Sequence, residues 1–216
     1  MTDRTRLSVF VTTYNNDRTL KTCLESVKWA DEIVVLDSFS TDDTLAIARS
    51  YDALVSQHRF MGYGPQKQMA LAATSNDWVL LLDADEALSL ELQNEIKQLL
   101  LEGPSADGYD IPRQEQLFWR MYHPATRMNH FLRLFDKRKG GMDDMPIHAA
   151  PKIQGRVGRL KAPFYHFGET DIREILDIRG FNLNAALELD PAFLEDTHHH
   201  HDDDVKSFVW KDARAL

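Results

Sequence analysis

The feature that most constrains the fold is a continuous apolar run, Trp78-Val79-Leu80-Leu81-Leu82, that stops abruptly at Asp83-Ala84-Asp85-Glu86. A strand with no polar face must be covered on both sides, as the strands of a parallel sheet are. Parallel neighbours need crossover connections, usually helices, and the preceding chain supplies them. Leu7 to Thr13, Glu32 to Leu36 and Ala53 to Ser56 read as strands. Between them lie a helix carrying Leu20, Leu24 and Val27 with Asp17 as its cap, a second over Thr41 to Tyr51 capped by Ser40 or Thr41, and a third from Pro65 to about Ala73. After the acidic stop, Ser89 caps a helix that turns Leu92, Ile96, Leu99 and Leu100 inward. The alternation predicts an α/β fold, a mixed and mostly parallel sheet flanked by helices.

Gly103-Pro104-Ser105 breaks this pattern. Beyond it, Tyr109 to Arg113 and Phe131 to Phe135 read as strands, and Asp171 to Leu189 as an amphipathic helix. His198 to Asp204, four histidines followed by three aspartates, reads as a solvated loop before a short amphipathic helix from Val205. A length of 216 residues suits one domain with its own core. The formal net charge of -9 argues against a general nucleic-acid surface, which is basic. Cys23 is the only cysteine, so no intramolecular disulfide forms. No stretch approaches the roughly 20 apolar residues of a spanning helix. The expectation is a cytoplasmic protein, at most peripheral on the inner membrane.

Three segments carry the chemistry. Residues two apart on an extended chain point the same way, so Asp83 and Asp85 can converge at the carboxyl end of a buried strand, where open α/β sheets bind ligands. Two carboxylates there suit a hard divalent cation, Mg²⁺ or Mn²⁺, that also takes phosphate oxygens; alone, the pair also fits an acidic turn in solvent. Asp37 likewise ends a strand, where a carboxylate can accept hydrogen bonds from a nucleobase or ribose, while Ser38 to Asp43 also suits a helix cap. Gly62-Tyr63-Gly64-Pro65-Gln66-Lys67 permits close backbone approach, with Lys67 on the first helical turn in reach of a phosphate; alone, it also fits an ordinary loop.

Taken together and in order, Thr12-Thr13-Tyr14-Asn15, Val34 to Thr44, Gly62 to Lys67 and Asp77 to Glu86 resemble the family-2 inverting glycosyltransferases. The likeness is closest to the branch containing the bacterial lipopolysaccharide-core β-1,4-glucosyltransferases. It is strong over about Leu7 to Leu101 and weaker to about Leu189. It implies a GT-A fold over residues 1–189, with a nucleotide-sugar half (1–101), an acceptor-side half (102–189) and a tail (190–216). It implies a UDP-sugar donor and a glycan or lipid-linked acceptor. By position, Thr13, with its neighbour Tyr14, and Asp37 match nucleotide-binding positions. Asp83 matches the ribose position and Asp85 the metal position, with Mg²⁺ or Mn²⁺ as the cofactor.

The resemblance also implies a catalytic glutamate directly after a histidine, but Ile147-His148-Ala149 carries alanine there. Asp144, with Asp143 in reserve, is the substitute base expected from the same loop, and His148 a contact to diphosphate or metal. Arg127 and Arg133 read as surface charge or as phosphate contacts. Phe118, Trp119 and Tyr122 read as core aromatics or a sugar-stacking surface. A nucleotidyltransferase is the enzymatic alternative, disfavoured by the absence of glycine in Val11 to Asn16. A catalytically silent nucleotide- or glycan-binding member is the other, resting on Ala149.

Overall fold

The computed structural model describes residues 4–117, 120–123, 126–143 and 149–168. They belong to one compact unit that runs to Gly168. The expected boundary at residue 189, the helix over 171–189, the tail, Asp144, His148, Phe118 and Trp119 lie outside the described residues.

The elements in chain order are β1 (Leu7–Thr13), α1 (Leu20–Val27), β2 (Glu32–Asp37), α2 (Thr44–Ser50), β3 (Leu54–Gln57), α3 (Tyr63–Ala72), β4 (Trp78–Asp83), β5 (Glu86–Leu88) and α4 (Leu90–Glu102). There follow β6 (Gly108–Leu117), β7 (Arg120–Met121), β8 (Asn129–Asp136), β9 (Gly140–Met142), β10 (Pro151–Ile153), β11 (Val157–Arg159) and β12 (Phe164–His166). The principal sheet runs β3-β2-β1-β4-β8-β6-β12-β5. Its first four strands are parallel, β8 is antiparallel to β4 and to β6, and β5 is antiparallel to β12. This is the α/β architecture expected from the alternation.

The apolar run of β4 is buried on both faces. Leu80 and Leu82 join Leu7, Val9, Leu24, Leu92, Ile96 and Phe164 in one core cluster. Val79 and Leu81 join Phe10, Leu36, Leu71 and Phe135 in another. Period-two alternation splits β4 between the two clusters, which is why no polar residue interrupts its run from Trp78 to Leu82.

The connection from β4 to β5 shapes the whole sheet. Only Ala84 and Asp85 separate these strands in the chain, yet β8, β6 and β12 lie between them in the sheet. Four strand spacings in a flat sheet cover ~19 Å, whereas the Asp83–Glu86 link reaches at most ~11 Å. The sheet therefore curls, and the acidic turn sits where its β5 edge comes back toward β4. β5, from the first half of the chain, pairs with β12, with His166 in register with Glu86.

Several local signals act differently from expectation. Ser89 does cap α4, accepting from the Leu92 N–H at 3.1 Å. Asp17 does not cap α1; its own N–H goes to Asp42, and the Asn16 carbonyl receives the Leu20 N–H. α2 begins at Thr44, because Ser40 is drawn to Asp37. β6 and β8 are longer than expected, and β5, β7 and β9 to β12, each of two or three residues, carry too little pattern to read.

Candidate functional site

The carboxyl ends of β2, β1 and β4 lie side by side, with Thr13 in register with Asp37 and Thr12 with Asp83. Asp37 and Asp83 are thus two strand spacings apart, ~10 Å, on one rim of the sheet. Asp37 is fully buried. Its carboxylate accepts from the Ser40 N–H at 2.9 Å, from the Ser40 hydroxyl, and from Gln57 Nε2 at 2.9 Å. Thr13 is buried and its hydroxyl donates to Asn16 Oδ1 at 3.1 Å. Both residues set the shape of the rim.

Above them the rim is aromatic and open. Tyr14 is 59% exposed, Phe39 50% and Tyr63 51%. Asn15 (φ 50°) and Phe39 (φ 65°) adopt left-handed backbone, as does Gly62 at the start of α3 (φ 104°). Side-chain ties hold the loops together: Ser40 Oγ accepts from the Asn15 N–H, and Gln66 Nε2 donates to Ser38 Oγ and the His58 carbonyl. Non-glycine residues at positive φ cost energy and recur where a loop is shaped for a ligand.

The β4–β5 turn separates its two aspartates. Asp83 Oδ1 is 2.6 Å from Lys67 Nζ, and Oδ2 is 3.4 Å from Arg133 Nη2. Burial pushes the Asp83 carboxyl up, but Arg133 and Lys67 outweigh it and hold it at about 2. Arg133 is buried, not the surface charge that the sequence suggests, and its Nη2 donates to Glu86 Oε1 at 2.6 Å. Glu86 is fully buried, and burial pushes its carboxyl up to about 7 while Arg133 pulls it back. Asp85 points the other way, with Oδ2 3.4 Å from His166 Nε2. The opposite ring nitrogen, Nδ1, lies 2.7 Å from Glu115 Oε2, and Glu115 Oε1 accepts from Arg113 Nε at 2.6 Å. Hydrogen bonding to Asp85 raises the His166 imidazole to about 9, against the opposing effect of burial and with help from Glu115.

These contacts decide which aspartate fits a cation. Both Asp83 oxygens face basic side chains, so Asp83 has no free charge for a metal. Asp85 keeps 36% of its side chain exposed and, among the described residues, has only the long side-chain contact to His166. The carboxylate suits Mn²⁺ or Mg²⁺, which bind through one or two carboxylates plus substrate phosphates; His166 joins it as a ligand only where the cation displaces the Nε2 proton, with Nδ1 held by Glu115. Among the described residues, no group of three or more His, Cys, Asp or Glu side chains is arranged to hold a metal alone. The donor set fits an ion that arrives with a diphosphate. Lys67, expected at a phosphate, spends its charge on Asp83.

Of the expected bases, Asp143 is visible. Its Oδ1 accepts from the Ala150 N–H at 3.1 Å and its Oδ2 is 3.4 Å from Lys152 Nζ, bracing the β9–β10 hairpin. Ala149 packs against the Phe10–Phe135 core cluster. Arg127 is exposed and Tyr122 half-buried. His166 and Glu115 were missed. Alternation along Arg113-Gln114-Glu115 puts Arg113 and Glu115 on one strand face, but the pairing of that face with His166 is set by the fold.

The model of the Glycosyl transferase family 2 family matches residues 8–154. An uncharacterised glycosyltransferase of Rickettsia conorii is 32% identical over 193 residues, covering 83% of this chain and 68% of the relative. The lipopolysaccharide core biosynthesis glycosyltransferase LpsC of Rhizobium meliloti is 35% identical over 162 residues, 72% of this chain and 60% of LpsC. The chain spans about two thirds of the length of the rickettsial relatives. Among solved structures, S. aureus TarS 1-349 in complex with UDP shares the fold, with a TM-score of 0.56, 19% identity, and coverage of 76% of this chain and 61% of TarS. With the curled, mostly parallel sheet and the acidic turn at its strand ends, these matches place the chain in glycosyl transferase family 2, with a GT-A fold.

Proposed function

We propose that the protein transfers a hexose from a UDP-sugar, with inversion, to a glycan or lipopolysaccharide-core acceptor, assisted by Mg²⁺ or Mn²⁺. The observation that carries this reading is the split at the acidic turn. Asp83 is neutralised by Lys67 and Arg133, while Asp85 is left open beside His166. The likeness to LpsC supports the acceptor class. The fold shared with TarS, which is solved with UDP and with UDP-GlcNAc, supports the donor.

The charges suit such a donor. The row formed by Lys67, Asp83, Arg133 and Glu86 continues through Asp85, His166, Glu115 and Arg113, with four basic and four acidic side chains. A divalent cation on a diphosphate is close to neutral, so it enters without leaving a large uncompensated charge. Asp85 and His166 hold the cation, which when bound neutralises charge on the departing diphosphate. Thr13, Tyr14 and Asp37 form the nucleotide end of the cleft, where the exposed Tyr14 ring offers a stacking face. Asp83 faces the ribose, and Lys67 keeps it ionised. Inversion needs a carboxylate opposite the diphosphate to take the acceptor hydroxyl's proton during in-line attack. Asp144 takes that role, with Asp143 in reserve and His148 toward the diphosphate. Among the described residues no helix is long and apolar enough to cross a membrane; a lipid-linked acceptor is met by peripheral contact.

The test is a panel of UDP-sugars screened for thermal stabilisation with and without Mn²⁺, followed by transfer assays on lipopolysaccharide-core acceptors. A ligand that binds the native state raises apparent stability by mass action. One UDP-sugar that stabilises only with Mn²⁺ and yields a product of inverted configuration is the expected result. Stabilisation without transfer to any acceptor favours the silent binding member, and no stabilisation by any UDP-sugar refutes the proposal.

A further inference from the structure

Beneath the acidic turn lies an ion pair with no access to solvent. Glu86 is fully buried and Arg133 is 6% exposed. Glu86 uses both oxygens: Oε1 accepts from Arg133 Nη2 at 2.6 Å, and Oε2 accepts the backbone N–H of Asp83 at 3.0 Å. The same Nη2 stands 3.4 Å from the Asp83 carboxylate. The guanidinium carbon sits 5.2 Å from the Phe164 ring centre and 5.9 Å from that of Phe131, and Nε has no hydrogen-bond partner among the described residues. A buried pair with an orphaned donor is a weak contributor to stability, because apolar residues of similar volume often serve the fold as well.

We propose that Glu86 and Arg133 are positioning residues, a buried clamp that fixes the Asp83–Glu86 turn and thereby aims Asp85 at the cation and diphosphate. The proposal rests on the function proposed above. The turn's other anchors are the Lys67–Asp83 ion pair at 2.6 Å, the Cys23 thiol donating to the Asp83 carbonyl at 3.6 Å, the buried Ala84, and the Asp85 carbonyl, which accepts the Phe167 N–H at 2.8 Å. The clamp adds a hold on the backbone of Asp83, a second on its side chain, and a fixed start to β5. With it gone, Asp85 stays attached to the sheet through its carbonyl, but the peptide leading into it is released. Groups that orient a metal ligand without touching the metal typically matter by about 10–100-fold in affinity or activity.

The decisive variant is the double substitution Glu86→Leu with Arg133→Met, which removes both charges at similar volume, with Glu86→Gln as the isosteric companion. Two quantities are measured on each: the thermal unfolding midpoint, and the Mn²⁺ concentration giving half-maximal UDP binding by calorimetry. The proposal expects a double variant that stays folded at the assay temperature, with a midpoint lowered only by the loss of its contacts to the Asp83 N–H and carboxylate, yet needs about 10–100-fold more Mn²⁺. Amide exchange in the 83–86 segment should be faster in both variants. A double variant with wild-type stability and a wild-type Mn²⁺ requirement overturns the proposal. So does a double variant that is less stable but, while still folded, keeps the wild-type Mn²⁺ requirement, since the pair is then a structural prop. If wild type itself binds no UDP in the presence of Mn²⁺, the proposed function fails and takes the clamp with it, a result distinct from either variant outcome.

Discussion

Replacing Asp83 by asparagine imitates its protonated form, so the cost follows from the electrostatics of the site. The carboxyl is held at about 2 by Arg133 and Lys67 in spite of burial. Against an ordinary aspartate value near 3.9, that corresponds to about 2.5 kcal/mol of folded-state stabilisation at neutral pH. The side chain remains 31% exposed, and solvent screening brings the expected loss to about 2 kcal/mol. A loss of that size lowers the thermal midpoint of a chain this long by about 4–8 °C. The sign of the pH dependence is fixed. A depressed carboxyl stabilises the fold above its unfolded value, and the benefit fades as pH falls through the folded one. The gap between wild type and Asp83→Asn should therefore be full at pH 7, about half as large at pH 3, and closing toward pH 2. Urea unfolding across this range, followed by circular dichroism, measures it. Equal stability at pH 7, or an undiminished gap at pH 3, refutes the assignment of Lys67 and Arg133 as partners of an ionised Asp83.

Asp144→Asn should lower turnover by about 100-fold or more while UDP binding stays unchanged, because a base acts on the acceptor and contributes about 10²–10⁴-fold; unchanged turnover there and in Asp143→Asn places the base elsewhere. Ser89→Ala removes the cap of α4 and should cost about 1 kcal/mol in chemical denaturation with no change in donor binding; a neutral result means that another group satisfies the Leu92 N–H. Exchanging His198 to Asp204 for a Gly/Ser linker should leave turnover intact, since those residues offer nothing apolar to bury; a loss above about tenfold, ~1.4 kcal/mol of barrier, shows that they take part.

The parallel half of the fold was legible because burial on both faces leaves a plain signature. The run at Trp78 to Leu82 contains no charged residue and that at Leu7 to Thr13 only small hydroxyl side chains beside its apolar ones, and an acidic group directly after a buried strand has few structural uses. The antiparallel half was less legible. β5 and β12 have three residues each, too few for a period to show, yet they bring Glu86 beside His166. A register shift between β6 and β8 at Tyr109/Asp110 puts Phe131 and Leu134 against the same core cluster, a spacing that simple alternation does not produce. Arg133 lies within that irregularity, and a strand arginine read by itself suggests solvent. Spacing brings Asp83 and Asp85 forward as a pair, but their separate partners depend on Lys67 from α3, Arg133 from β8 and His166 from β12, and contacts across that chain distance leave no local pattern. Asp17 and Ser40 were poor guides to caps because α1 starts only at Leu20, three residues past Asp17, and the Ser40 hydroxyl donates to Asp37.

The central claim is that Asp85 holds the cation which carries the donor diphosphate. Calorimetric titration of UDP into the protein, with and without Mn²⁺, for wild type and for Asp85→Ala, tests it most directly. The account predicts metal-dependent binding to wild type and none to Asp85→Ala, measured at a temperature where both are folded, since the variant also loses the Asp85–His166 contact. Asp85→Ala binding UDP with the same affinity and the same Mn²⁺ dependence as wild type would contradict it.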